Sequence, residues 1–438
     1  MADYRDELYR RRQEKRAQHK ARLQRRRTMG RVLICLMVLT LVVIGVMMLT
    51  QNGRDPSNQQ PTMEQVTDTP TEGTTEPVSS DEPTTVIHVA AAGDLMVTDQ
   101  TVRSGISDNG YDYTDVFMDI APVFSEADLA LLNFEGNLLG APYGTESTSA
   151  PADLAKALKA AGVDLVQMAN STAITDGMAG LKKSLAGLRE AGLEPIGAFA
   201  DTQEFQKYKG YTMVNVQGIR IAFVAFTKGM SGLSLPAGSE NCVNLLYTDY
   251  ATTYQTIDKA GINSILEDVA REKPDLTIAL VHWGSEYKDM VTDSQKKIAK
   301  LMKENGVDVI LGSHPHMLHE IEYDEFTGQL VAYSLGDFFS DAQRAGTDYS
   351  IILDLEITRD NATGDTKVSA FSYTPICTLT EDESPDGQRH VMQLQKAMDA
   401  YEDNFVDRVS ESVYSDLEYA LTRIHERTTP PKAEEEKK

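Results

Sequence analysis

Residues 276–316, LTIALVHWGSEYKDMVTDSQKKIAKLMKENGVDVILGSHPH, carry the reading on which the fold turns. Two almost continuous apolar runs, LTIALVHWG (276–284) and VDVILGSH (307–314), flank an amphipathic stretch at 293–305. Strands apolar on both faces belong inside a covered sheet, and a helix between two of them is the usual connection of a parallel pair. The alternation continues towards the N-terminus. VIHVAAAGD from Val86, LALLNFE (129–135) and DLVQMAN (164–170) read as further buried strands, with helical patterns around 151–161, 178–191 and 249–272. A largely parallel α/β sheet covered by helices follows. Hairpins at MVNVQGIRIAFVAF, turning at Gln217-Gly218, and IEYDEFTGQLVAYSLGD, turning at Thr327-Gly328, add antiparallel strands, as do 350–358 and 366–374. The stretch from His390 to Ile424 reads as helical.

The first 85 residues are of another kind. Val32 to Thr50, VLICLMVLTLVVIGVMMLT, is nineteen residues without a charge, long enough at about 1.5 Å per residue to cross the hydrocarbon core of a bilayer. It exceeds the apolar region of a cleaved signal peptide, and no small-x-small site closes it, so it reads as a transmembrane helix. Residues 1–31 hold twelve Lys/Arg against four Asp/Glu, in a chain of net charge −24. Basic residues before the span place the N-terminus in the cytoplasm and everything after Thr50 outside, in a single-pass plasma-membrane protein. The strongly acidic remainder excludes nucleic acid as a partner bound through its phosphates. Residues 51–85, rich in Thr, Pro and Glu, read as a disordered linker, 381–428 as a C-terminal helical extension, and 429–438 as a charged tail. Of three cysteines Cys35 lies in the apolar run, so at most one disulfide, Cys242 to Cys377, is available to the body.

Four strand ends carry residues of metal-ligating type: Asp94 in AAGDLM, Glu135 in NFEGN, His282 in VHWGSEY, and His314 with His316 in GSHPH. Pro315 favours an extended chain, in which residues two apart point the same way, so His314 and His316 are expected to converge. Three imidazoles and two carboxylates form an N/O donor set suited to one or two divalent ions of manganese, zinc or iron. No phosphate-binding loop and no G-x-S-x-G elbow occurs, which disfavours nucleotide-triphosphate and serine-hydrolase chemistry.

In this order and spacing, Gly93-Asp94, Asn133-Phe134-Glu135, HWGSEY (282–287), GSHPH (312–316) and YSLGD (333–337) resemble the CapA-type capsule-synthesis proteins associated with poly-gamma-glutamate, which are similar in fold to calcineurin-like metallophosphatases. The resemblance covers roughly residues 86–375. It implies a CapA-like domain over 86–380, a metallophosphatase-like four-layer α/β/β/α sandwich behind the N-terminal transmembrane helix, and Asp94, Glu135, His282, His314 and His316 as metal ligands. It also implies a role in synthesis, export or attachment of a bacterial capsule or envelope polymer, with the polymer or its synthase components as partners. Where the family reads NNHxxDxG, this chain has Asn170-Ser171-Thr172-Ala173-Ile174-Thr175-Asp176-Gly177, and hydroxyls cannot replace an imidazole in general acid work near neutral pH. Met96 stands where metallophosphatases carry the His of D-x-H, and Asp337 where YSLGN has Asn.

These departures leave two expectations, an accessory component and an active hydrolase of a phosphoester or envelope amide. A third reading, an adhesion or sensor domain, requires that the five ligand candidates do not converge. Asn170, Asp176, Trp283, Glu286, Tyr287 and Asp337 are candidates for substrate contact or outer support. Trp283 and Tyr287 either line a groove or pack beside the strand end, and His319 reads as an edge or rim residue.

Overall fold

The computed structural model describes residues 83–384, 387–404 and 411–428. The basic segment, the apolar span 32–50, the linker as far as residue 82 and the tail 429–438 lie outside them. Among the described residues no helix is long and apolar enough to cross a membrane.

In chain order the elements are β1 (Thr84–Met96), α1 (Asp99–Arg103), β2 (Ile106–Ser107), β3 (Gly110–Tyr111), α2 (Thr114–Phe117), α3 (Ala121–Ser125), β4 (Leu129–Glu135), α4 (Ala152–Ala160), β5 (Leu165–Gln167), α5 (Gly177–Glu190), β6 (Glu194–Ile196), α6 (Thr202–Tyr208), β7 (Tyr211–Val216), β8 (Ile219–Thr227), α7 (Lys259–Glu272), β9 (Leu276–His282), α8 (Asp293–Glu304), β10 (Val309–Ser313), β11 (Ile321–Tyr323), β12 (Leu330–Ala332), β13 (Asp337–Phe339), β14 (Tyr349–Asp360), β15 (Thr366–Leu379), β16 (His390–Gln393), α9 (Leu394–Asn404) and α10 (Glu411–Thr428). They form a mixed α/β fold. One sheet runs β16-β15-β14-β1-β4-β5-β6, with β13 also paired to β1, and the other runs β11-β12-β10-β9-β8-β7. In the first, β1, β4, β5 and β6 are parallel; in the second, β8, β9, β10 and β12 are.

The apolar runs explain how the sheets meet. Along β8 the period of two sends Ile221, Phe223 and Ala225 into one core with Val89, Ala91 and Leu131 of the first sheet. Ala222, Val224 and Phe226 enter a second core with Ile262, Leu266 and Val269 of α7 and Ile298 and Met302 of α8. Strand β9 divides likewise, Leu276, Ile278 and Leu280 to the first and Ala279, Val281 and Trp283 to the second. Helix α8 begins at a capping box: the Thr292 hydroxyl accepts from the Gln295 N–H, and the Gln295 side chain bonds back to the Thr292 N–H at 2.9 Å. The Gln217-Gly218 turn has φ of 51° and 88°, the two positive values of a two-residue hairpin that follows strand twist.

Two local expectations differ. Residues 249–258 are turns, because the Asp249 carboxylate accepts from the Gln255 and Thr256 N–H groups at 2.8 and 3.0 Å, and the helix starts only at Lys259. The stretch read as helical from His390 begins with β16, an edge strand on β15. Cys242 and Cys377 are both buried and free.

Candidate metal centre

Strands β1, β4, β9 and β10 end at one edge of the paired sheets, where parallel α/β sheets gather ligands. Asp94 reaches it because Gly93 lets β1 approach Gly336: a Cβ there would stand 1.8 Å from the Gly336 carbonyl oxygen, which accepts from the Asp94 N–H at 2.9 Å. Glu135 and His282 are the last residues of β4 and β9, and His314 and His316 follow β10. All five are at most 5% exposed. Two overlapping groups have ligand atoms within 4.8 Å of one another: Glu135, His282 and His314, and Asp94, Glu135 and His316. A third adds the exposed Glu286 to His314 and His316.

The route by which the two GSHPH histidines converge is not extended chain. His314 has φ of 91° and His316 of 60°, so the loop reverses around Pro315 and stores backbone strain. The rings are 6.0 Å apart, with His282 4.4 Å from His314.

Buried partners orient each donor. The Thr227 hydroxyl donates to the Gly229 carbonyl at 2.9 Å, so towards His282 Nδ1, at 3.2 Å, it accepts. Nδ1 of His282 therefore carries a proton, which leaves Nε2, 3.3 Å from Glu135, as the nitrogen that would meet a metal ion. Asn170 donates to Asn133 Oδ1 at 3.1 Å, and Asn133 donates to Asp94 Oδ1 at 2.7 Å, a relay that fixes one carboxylate. Ser171 donates to Glu135 Oε1, and the Thr172 hydroxyl donates to Asn170 Oδ1 at 3.0 Å. Asp337 accepts from His316 Nδ1 at 2.8 Å.

The electrostatics suit a cation. Burial pushes Asp94 up to about 6, with His316 opposing and Glu135 and Asp337 adding to the rise. Burial also raises Asp337, against the opposing pull of His316. Burial alone would raise Glu135 too, but His282, together with His316 and His314, outweighs it and holds the carboxyl below its ordinary range. Burial opposes a charged His316, yet Asp337, Asp94 and Glu135 win and raise it to about 10, so near neutral pH a protonated imidazole stands among carboxylates. Burial and His282 push His314 well below its ordinary value. Its Nδ1 is buried without a hydrogen-bond partner, as suits a nitrogen whose partner is a metal ion. A neutral imidazole aimed into a buried acidic cluster fits a divalent ion, and Glu135, shared by two groups, fits a bridge between two.

The other expected residues separate. Trp283 is fully buried, stacks on Tyr333 at 5.9 Å and donates to its carbonyl at 2.9 Å, so it packs and does not line a groove. Tyr287 stacks on His316 at 5.1 Å, with the exposed Arg344 3.8 Å above its ring. Asp176 is exposed at the start of α5, outside the ligand groups. His319 is 1% exposed rather than at a rim, because its Nε2 bonds the Lys288 carbonyl at 2.7 Å and braces the loop after His282. From the other side, Arg423 and Arg427 of α10 hold Asp289 at 3.0 and 2.5 Å. Lys228, absent from the sequence reading, follows β8, donates to Gly284 O at 2.7 Å and sits 4.7 Å from the Tyr254 ring centre. Only its place after an apolar strand could have flagged it.

The family model for bacterial capsule synthesis proteins (PGA_cap) matches residues 88–342. The capsule biosynthesis protein CapA of Bacillus anthracis is 28% identical over 278 residues, 62% of this chain and 64% of that protein. The PGA biosynthesis protein CapA of Bacillus subtilis is 27% identical over 299 residues, 66% of this chain and 71% of that protein. The alignment thus spans less than two thirds of the Bacillus anthracis protein. Among solved structures, a calcineurin-like phosphoesterase of Bacillus subtilis aligns at a TM-score of 0.39 and 14% identity, over 78% of this chain and 98% of that one.

Proposed function

The chain belongs to the bacterial capsule synthesis protein family, and from that premise we propose that it is an accessory protein of capsule or envelope polymer assembly, of poly-gamma-glutamate type. It is anchored by residues 32–50 with its domain outside the membrane, and engages the polymer at a divalent-metal centre. The observation that carries this reading is the convergence of Asp94, Glu135, His282, His314 and His316 in a buried cluster short of positive charge. The shared core of the two sheets, with α7 and α8 on the outer face of one, supports a four-layer metallophosphatase-like arrangement for the domain. A bound cation also resolves the awkwardness of an acidic protein meeting an acidic polymer.

The test is retention of the full-length, detergent-solubilised protein on immobilised poly-gamma-glutamate, with and without chelator, beside elemental analysis. Retention that chelation weakens, at one or two equivalents of manganese, zinc or iron, is expected. No retention in either condition sinks the reading. For topology, protease added to intact protoplasts should digest the domain and leave the N-terminal segment protected.

A second reading, metal-dependent hydrolysis of a phosphoester or envelope amide, draws on one observation: Glu135 belongs to two overlapping ligand groups. When bound, divalent ions supply Lewis acidity to a phosphoryl or carbonyl oxygen. Against turnover, Thr172 stands at the position where the family carries an imidazole, and its hydroxyl is tied to Asn170. Turnover that is lost in His314→Ala together with the metal would favour this version.

A further inference from the structure

Beside the ligand cluster lies a cavity of about 290 Å3, lined by Ser171, Lys228, Ser231, Tyr254, Glu286 and His314 among others. His314 thus faces both the centre and this space. Lys228 is pinned there: its N–H donates to the His282 carbonyl at 2.8 Å, its Nζ to Gly284 O at 2.7 Å, and its charge lies over Tyr254. Among the described residues no carboxylate is within salt-bridge distance of it. An ammonium group has three hydrogens, and one carbonyl uses one of them. Its nearest opposing charge is the exposed Glu286 across the same cavity, which does not contact it, so this half-buried ammonium keeps hydrogens that no group among the described residues takes up.

We propose that this cavity is a subsite for a carboxylate of the ligand that meets the metal centre, with Lys228 as its positioning cation. The assignment rests on the polymer reading for the identity of that ligand, and on the cavity alone for its chemistry. The ammonium hydrogens that Gly284 O leaves unused can meet one carboxylate. A phosphate dianion would bring a second negative charge towards Glu286, which also lines the space. The hydroxyls of Tyr254 and Ser285 border the same cavity and can donate to the second carboxylate oxygen.

The experiment footprints lysines on the full-length, metal-loaded protein with an amine-acylating reagent, read by mass spectrometry. Glutarate and inorganic phosphate serve as competing probes at equal ionic strength. Glutarate should slow acylation of Lys228 but not of Lys300, which is 76% exposed, and phosphate should not slow it. No protection by glutarate overturns the subsite, and equal protection by phosphate overturns its assignment to carboxylate. In parallel, Lys228→Met should weaken retention on poly-gamma-glutamate about tenfold or more, with metal content unchanged and Lys228→Arg restoring most of it. Undiminished retention of Lys228→Met overturns the subsite while leaving the polymer reading intact. Failure of the wild type to be retained defeats the polymer reading instead, and glutarate protection still judges the cavity.

Discussion

Replacing Asp337 by Asn removes one of the buried negative charges while keeping an oxygen that can accept from His316 Nδ1. In the metal-free protein the His316 imidazole is raised from 6.5 to about 10, which corresponds to roughly 5 kcal/mol of linkage. A raised histidine contributes stability that is fully present below 6.5 and is lost as pH climbs through about 10. Asp94, also raised, loses its contribution as pH rises from 3.8 to about 6, below the range of interest. Asp337 is the largest of the influences that raise His316 and lies 2.8 Å from its nitrogen. Removing its charge therefore takes away the leading support of the imidazolium. The chain has a single tryptophan, Trp283, fully buried next to His282, so its fluorescence reports unfolding of the domain that holds the centre. Urea unfolding of chelated, full-length protein at pH 7, 8.5 and 10 should show the wild type losing several kcal/mol across the series and Asp337→Asn losing clearly less. Parallel losses in the two proteins would refute the picture of an imidazolium held by carboxylates.

Thr227→Val should lower divalent-metal affinity about tenfold to a hundredfold, by freeing the His282 ring to turn, while Thr227→Ser keeps it; competition with a chromophoric chelator measures both. His314→Ala and His314→Gly should both lose metal, but the glycine variant should be the more stable of the two by about 1 kcal/mol in metal-free unfolding, because φ of 91° strains any residue with a Cβ. Gly312→Ala should cost on the order of 3 kcal/mol in the same assay, since its Cβ would lie 2.1 Å from the Tyr333 carbonyl oxygen and 2.7 Å from Trp283 Nε1, breaking the hydrogen bond between them.

The strands that frame the centre were legible because each is a short apolar run ending in a polar residue, and that pattern survives without knowledge of what packs where. The donors were legible for the same reason, as strand ends. The loop geometry was not. Pro315 suggested extended chain, yet both histidines take positive φ, a tertiary requirement of the cluster that local preference opposes. Residues 249–258 read as helix because their side-chain periodicity says nothing of Asp249 capturing two downstream N–H groups. His319 looked peripheral because its partner, the Lys288 carbonyl, is a backbone atom 31 residues away that no side-chain pattern announces. Lys228 was invisible because one lysine after an apolar strand is ordinary until the cavity and the carbonyl that pins its ammonium group are seen together.

The grip of Arg423 and Arg427 on Asp289 gives the end of the chain a stake in the chemistry at its centre. A surface ion pair contributes little by itself, on the order of 1 kcal/mol or less. Here two of them share one carboxylate two residues from Tyr287, the ring that stacks on His316. Loosening α10 would release that loop from one side while His319 still held Lys288 from the other. Opening of α10 should therefore raise hydrogen exchange in the loop at Asp289 more than at Lys288, which His319 continues to hold. A truncation before Arg423 would thus be felt at the loop beside the candidate metal centre, more than a hundred residues upstream.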